Sequence, residues 1–299
     1  MALVPFNDLL AEAERGQYAV GYFESWNLES LQAVADAAEA MRSPVLLGFS
    51  GIYLCHSRRQ TLEQLAPYAA LGNEICRGIS VPACLVFNEC PQFERTLEAA
   101  HLGFGMVMFS DPSLSSDALE GRVAQLVAAA HRSAVAVEGE PTTVPGVAGE
   151  LSVLPADKHL TSPRLAQVFV ERTGVDALAV NIGQAHLHGR TEVHLDFERL
   201  KELKTAISVP LVLHGGTSVA RRDLQMAIAL GIRKINVGSI LKRCYFEALR
   251  SAIAEKHEDY NPYEVVGSGY EADVLQSGRV AVRKAVESFM GIFGSAAKA

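Results

Sequence analysis

The chain has no Lys/Arg-rich run, no apolar stretch approaching the length of a membrane span and no CxxC pair. Each absence excludes a class. With 27 Lys and Arg against 34 Asp and Glu, a net charge of −7 and a pI near 5.7, nothing is built to neutralise a phosphate backbone, so nucleic acid is excluded as a partner. A transmembrane helix needs about 20 apolar residues and a signal peptide a positive start. The first residues, MALVPFNDLLAEAERG, carry acids instead, so no membrane is expected and the cytoplasm is the expected location. Five cysteines, Cys55, Cys76, Cys84, Cys90 and Cys244, are an odd count in a chain of this length and read as free thiols. Proline is scarce, at 12 of 299 residues, while 49% of the chain is hydrophobic, which excludes a disordered or fibrous protein.

What is present is an alternation. Short apolar runs rich in β-branched residues read as strands at 19–23, 44–49, 82–87, 105–109, 134–140, 175–182, 209–214 and 232–237. Between them lie amphipathic stretches of helical period at 28–42, 62–76, 93–102, 117–132, 163–173, 196–207 and 221–230. Strands apolar on both faces belong to a buried parallel sheet, and eight of them predict a single (β/α)8 TIM barrel over residues 1–299. A doubly wound sheet is the rival. Position decides, because the notable polar residues fall at the C-terminal ends of the strands, where barrel enzymes build their sites. Further helices follow the eighth strand, and the Pro- and Gly-rich stretch 141–163 is long enough for a lid.

His186 closes VNIGQAH and His214 closes VPLVLHGG, so the two imidazoles meet at one mouth of the barrel. A divalent metal held by two histidines normally takes a third ligand, and Glu89, at the end of LVFNEC, is best placed. The alternative is that the histidines only hydrogen-bond backbone. HGGTS (214–218) and INVGS (235–239) each read as a Gly-rich turn opening a helix, where free N–H groups would receive a phosphate, with Arg190 as an added cation. In the plainer reading the glycines make tight turns and Thr217 and Ser239 cap helices. Carboxylates at other strand ends are Glu24, Asp111, Glu138 and Glu140.

Taken together, GYFESWNLESLQAVADAAEAMRSPVLL, VAVEGE, ERTGVDALAVNIGQAH, VPLVLHGGTSV, AIALGIRKINVGS and the FGSAAKA tail resemble the class II, metal-dependent ketose-bisphosphate aldolases, almost end to end. The resemblance implies the same barrel, a homo-oligomer (dimer or tetramer) and an aldehyde-lyase that cleaves a phosphorylated ketose into dihydroxyacetone phosphate and an aldehyde. It implies one divalent ion held by three histidines, two of which match His186 and His214. The strand-three motif, roughly HLDHG in the family, reads VFNEC here, so Glu89 stands at the third ligand and Asn88 at the catalytic aspartate. A carboxylate in that set shifts the expected metal from zinc towards manganese, iron or magnesium.

An amide cannot move a proton at neutral pH, so Asn88 calls for a substitute and a substrate other than fructose bisphosphate. Glu24, in FESWN where the family has an active-site Asn, is the candidate acid/base; its alternative role is a rim ion pair with an Arg. Arg190 matches a phosphate-contacting Lys, and Gly215, Thr217, Asn236 and Ser239 match phosphate-site positions. Gly238 stands where fructose-bisphosphate enzymes carry Asp, and Glu150 where the family's mobile loop carries a proton-abstracting glutamate. With Ser110 replacing a partner Asp of Glu140, no second metal is expected. Two alternatives accompany the aldolase reading: a metal-independent lyase or isomerase, needing no cofactor, and a catalytically altered sugar-phosphate-binding homologue.

Overall fold

A computed structural model describes residues 3–146, 159–185, 192–256 and 259–299. Eight strands are found among them: β1 (Val20–Ser25), β2 (Val45–Ser50), β3 (Ala83–Cys90), β4 (Met106–Phe109), β5 (Ala136–Gly139), β6 (Ala177–Ala179), β7 (Leu211–Leu213) and β8 (Ile232–Val237). All pair in parallel in sequence order, and β8 returns to β1 with Val20 opposite Lys234 and Tyr22 opposite Asn236. The sheet is therefore a closed (β/α)8 barrel, as the alternation predicts. Strand ends differ from the apolar runs, most at 175–182, of which only Ala177–Ala179 is ladder. Apolar residues continue past the last ladder hydrogen bond because the loop walls are buried too.

Helices α1 (Phe6–Gly16), α2 (Leu28–Met41), α3 (Gly51–Leu54), α4 (Leu65–Gly78), α5 (Phe93–His101) and α6 (Ser116–Ala130) precede β5. Helices α7 (Pro163–Thr173), α8 (Phe197–Ala206), α9 (Arg221–Ala229), α10 (Ser239–Ala254), α11 (Pro262–Val265) and α12 (Val274–Phe293) follow it. Local chemistry fixes several starts. Asn27 and Ser30 form a reciprocal capping box on α2, and Ser115, Asp196 and Asp273 cap α6, α8 and α12 through their side chains.

Inside the barrel, alternate residues form one apolar cluster: Val20 and Tyr22, Leu46, Cys84 and Val86, Met106 and Met108, Ala136, Ala177 and Ala179, Val212. Helix α1 joins it through Phe6, Leu9, Leu10 and Ala13 and closes the N-terminal end. The i, i+3, i+4, i+7 spacing of Phe6, Leu9, Leu10 and Ala13 in FNDLLAEAERG is the pattern of this helix. The other face of each strand packs on the outer helices. There Phe23 stacks on Phe293 of α12 at 6.2 Å, and α12 is tied to α2 by a two-pronged Arg279–Asp36 pair at 2.7 and 2.8 Å.

One expectation needs correction. HGGTS does not open an α-helix: it makes a single 3-10 turn, Gly216–Ser218, and α9 begins only at Arg221. Gly215 precedes that turn at φ +66°, a conformation that favours glycine, and Val219 after it is extended, which separates the turn from α9. The described part of 141–163 carries no regular element before α7, and all five cysteines are free thiols. Among the described residues no helix is long and apolar enough to cross a membrane.

Candidate active site

The strand alternation that fills the barrel with apolar side chains ends, at its C-terminal mouth, in a polar layer. Continuing each inward series by two residues leads from Tyr22 to Glu24, from Val86 to Asn88, from Ala136 to Glu138 and Glu140, from Val212 to His214, and from Lys234 to Asn236. All of these side chains are buried. Glu89 has the wrong parity for this layer and is brought in by an irregularity. Asn88 and Glu89 together stand opposite Met108 alone, and Glu89 takes φ +52°, the left-handed region that residues other than glycine rarely occupy. Asn88 then donates from Nδ2 to Glu89 Oε2 at 2.7 Å.

His214, 1% exposed, is held from both sides. Its Nε2 lies 2.7 Å from Glu138 Oε1, while Lys234 Nζ lies 2.8 Å from Glu138 Oε2. Burial alone would raise the pKa of Glu138, but Lys234 and His214 outweigh it and hold the carboxyl below its usual range. Glu138 is thus an anion, an acceptor only, and Nε2 carries the proton it accepts. Nδ1 then faces Glu89 Oε1 at 3.2 Å and Glu140 Oε1 at 3.5 Å. Neither that nitrogen nor either oxygen of Glu140 has a hydrogen-bond partner.

These orphaned, buried donors fit a divalent cation. Imidazole and carboxylate are its usual ligands, and an imidazole that donates its other N–H to a carboxylate is the common supporting arrangement. Among the described residues no three His, Cys, Asp or Glu side chains are already spaced to hold an ion. The expected ligand His186, the cation Arg190 and the loop acid Glu150 lie outside the described residues.

A cleft opens beside this cluster, lined by Tyr22, Glu24, Tyr53, Glu89, Asn236 and the two turns carrying Gly215, Thr217, Gly238 and Ser239. The N-cap positions of the 3-10 turn, α9 and α10 are Gly215, Ala220 and Gly238, so neither Thr217 nor Ser239 stands at an N-cap. Gly238 and Ser239 do open α10, as INVGS predicts. Glu24 pairs with a lysine rather than an arginine: Lys242 Nζ lies 2.5 Å from Oε1 and 3.6 Å above the Tyr53 ring. Burial raises the pKa of Glu24 in spite of that ammonium. A side chain at Gly238 would lie 2.3 Å from Glu24 Oε2, so the glycine makes room for the carboxylate. The sequence reading missed Lys234, Lys242, Tyr22 and Tyr53. The signal for Lys234 was a charge at an inward position of the run IRKINV.

In the metal-free protein the cluster predicts a pH dependence. Burial opposes charge on His214, yet Glu89 and then Glu138 and Glu140 push its pKa up to about 10, while burial first, then Glu89 and Glu138, push Glu140 up to about 8. The stability that His214 contributes is complete below its unfolded value of 6.5 and is lost as pH rises through about 10. Protonated Glu140 acts in the same direction, losing its contribution between 4.5 and about 8. Urea midpoints of chelator-treated protein should therefore fall steadily from pH 6.5 to 10, and a flat profile would contradict these environments.

Residues 4–298 match the family model "Fructose-bisphosphate aldolase class-II". The chain is 30% identical over 301 residues to a curated sulfofructosephosphate aldolase of Alkalicoccus urumqiensis, covering 100% of this chain and 99% of the relative. Among solved structures, the YdjI aldolase of Escherichia coli K12 superposes with a TM-score of 0.79 at 26% identity, covering 99% of both chains. A protein assigned as a fructose-1,6-biphosphate aldolase from Coccidioides immitis gives 0.80 at 26% identity, covering 97% of this chain and 96% of its own. Members of this family generally depend on a divalent metal ion. The chain belongs to the class II fructose-bisphosphate aldolase family and is a carbon–carbon lyase acting on phosphorylated sugars.

Proposed function

We propose that the enzyme cleaves a ketose phosphate into dihydroxyacetone phosphate and an aldehyde, with Glu89, His186 and His214 holding one divalent ion. The observation that carries this reading is the His214 imidazole, whose Nε2 proton is committed to Glu138 while Nδ1 faces Glu89. The ion, zinc or a harder cation such as manganese, iron or magnesium, supplies Lewis acidity at the ketose carbonyl. The chain's own residues do the rest. Free N–H groups of the turns at Gly215, Thr217, Gly238 and Ser239 bind the phosphate, with Arg190 as the added cation, and Asn236 fixes the three-carbon end. Asn88 positions Glu89 and moves no proton.

Glu24 takes the proton from the hydroxyl that becomes the aldehyde, and Glu150 serves the carbon acid of the three-carbon fragment. Support for Glu24 comes from its burial in the cleft wall, its raised pKa and the space that Gly238 leaves for it. Glu24→Gln should lower kcat by roughly 10²–10⁴-fold with unchanged metal content. Turnover retained in that variant would remove Glu24 from the mechanism.

The far end of the substrate carries a second anion in this reading. Ile52 and Tyr53 are shared between the cleft and a neighbouring pocket whose other walls are His56, Arg58 and Arg59. The Alkalicoccus relative is named a sulfofructosephosphate aldolase, after a sugar with a sulfo group and a phosphate. Arg59 is engaged by Glu63 at 2.6 Å, leaving Arg58 as the residue to test. Arg58→Ala should raise KM for a ketose phosphate bearing a distal sulfonate or phosphate by about tenfold, the loss of one charged hydrogen bond, and leave a ketose without that group unaffected. Equal effects on both would reject the distal site. Residues 1–299 acting as one domain, assembly into a dimer or tetramer, and a cytoplasmic location complete the proposal. The family match from 4 to 298, exposed Phe246 and Ile253 on α10, and the free thiols support them in turn.

A further inference from the structure

Lys234 has no exposed surface, sits under the polar layer and does not itself line the cleft, yet it bonds to two residues that do separate work. Its Nζ lies 2.8 Å from Glu138 Oε2 and donates to Asn236 Oδ1 at 2.7 Å, with the Tyr22 ring 5.2 Å below. An ammonium is a donor only. Two assignments that coordinates alone rarely fix are therefore decided here by chemistry. Glu138 must stay ionised and keep Oε1 for the His214 Nε2 proton, and the Asn236 amide must turn its oxygen to Lys234. The amide nitrogen of Asn236 then has no other choice of direction. It is buried, has no hydrogen-bond partner in the protein, and belongs to a residue lining the cleft.

We propose that Lys234 is a positioning residue that sets two groups at once: through Glu138 it presents His214 Nδ1 to the metal, and directly it presents the Asn236 N–H groups to the phosphorylated substrate. The first half rests on the metal reading given above, and the second does not. A third consequence concerns the acceptors. Glu138 offers one oxygen to His214 and the other to Lys234, so a glutamine at 138, with a single acceptor oxygen, cannot satisfy both donors. Removing the lysine as well frees that oxygen for His214 but leaves Asn236 without its partner.

Two variants separate the halves, Glu138→Gln and the double variant Glu138→Gln/Lys234→Met, the second also removing any unpaired buried charge that would impair folding. The readouts are cobalt(II) affinity of chelator-treated protein by visible absorption, glycerol 3-phosphate affinity by calorimetry, and Tm. Glu138→Gln should weaken cobalt binding by roughly 10–100-fold, the usual effect of losing a ligand's supporting partner, and leave glycerol 3-phosphate unchanged. The double variant should return cobalt affinity to within a few-fold of the parent and weaken glycerol 3-phosphate by about tenfold or more. Affinities that move together with Tm in both variants would overturn the proposal, since a purely structural pair produces that pattern. Glycerol 3-phosphate binding retained by the double variant would overturn the Asn236 half. If the parent protein itself takes up no cobalt, the metal reading fails and the His214 half with it, while the Asn236 half is decided by glycerol 3-phosphate alone.

Discussion

At the mouth of the barrel a lysine, a glutamate and a histidine, all but excluded from water, form one chain of charge-assisted contacts between β8, β5 and the end of β7. Such a chain is costly to assemble, because each ion leaves water, and removing one partner from a buried pair typically costs about 3–5 kcal/mol. Its retention makes sense as orientation. The anion between two donors fixes the proton on His214 and leaves the opposite nitrogen facing Glu89 and Glu140, two acids that burial and mutual repulsion make poor neighbours without a cation. Glu138, Lys234 and Asn236 lie on strands whose registers are set by barrel closure, so the geometry of the site is inherited from the sheet rather than from loops.

Two local departures from ideal structure adapt this frame. The irregularity between Phe87 and Cys90 turns Glu89, which strand parity would send outward, into the polar layer. The glycine at 238 leaves space that the Glu24 carboxylate fills, and Lys242, one turn into α10, anchors that carboxylate against the Tyr53 ring. Glu24 and Gly238 are thus one structural unit. Where a family member carries Asp at the position of Gly238, a carboxylate at the position of Glu24 would meet it at short range, and two like charges would compete for one volume.

Much of the fold was legible because period-two and period-3.6 patterns report burial directly, and burial is what a closed barrel of eight strands imposes on every strand. Helix α1 obeyed the same rule in FNDLLAEAERG. The 3-10 turn after His214 was not legible as such, since Gly215 at positive φ is compatible with several turns and only its packing selects one. In the site, Glu24, Glu89, His214 and Asn236 could be picked out as polar residues closing apolar runs. Lys234 and Lys242 could not. The first hides inside a strand whose aliphatic neighbours dominate the pattern, and the second lies on a helix, where a lysine ordinarily faces solvent; only the juxtaposition of β8 with β5 and of α10 with β1 gives either a partner.

The measurement that bears most directly on the role of His214 is the transition-metal content, in moles per chain, of protein purified without chelators and of its His214→Ala variant. A site built around His214 predicts about one ion per chain in the parent, in keeping with a single closed set of ligands, and loss of most of it in the variant. A content near zero in the parent, persisting after incubation with manganese, zinc, cobalt and iron, would contradict metal-assisted cleavage and leave Glu24, Glu89 and His214 as acid–base groups in their own right.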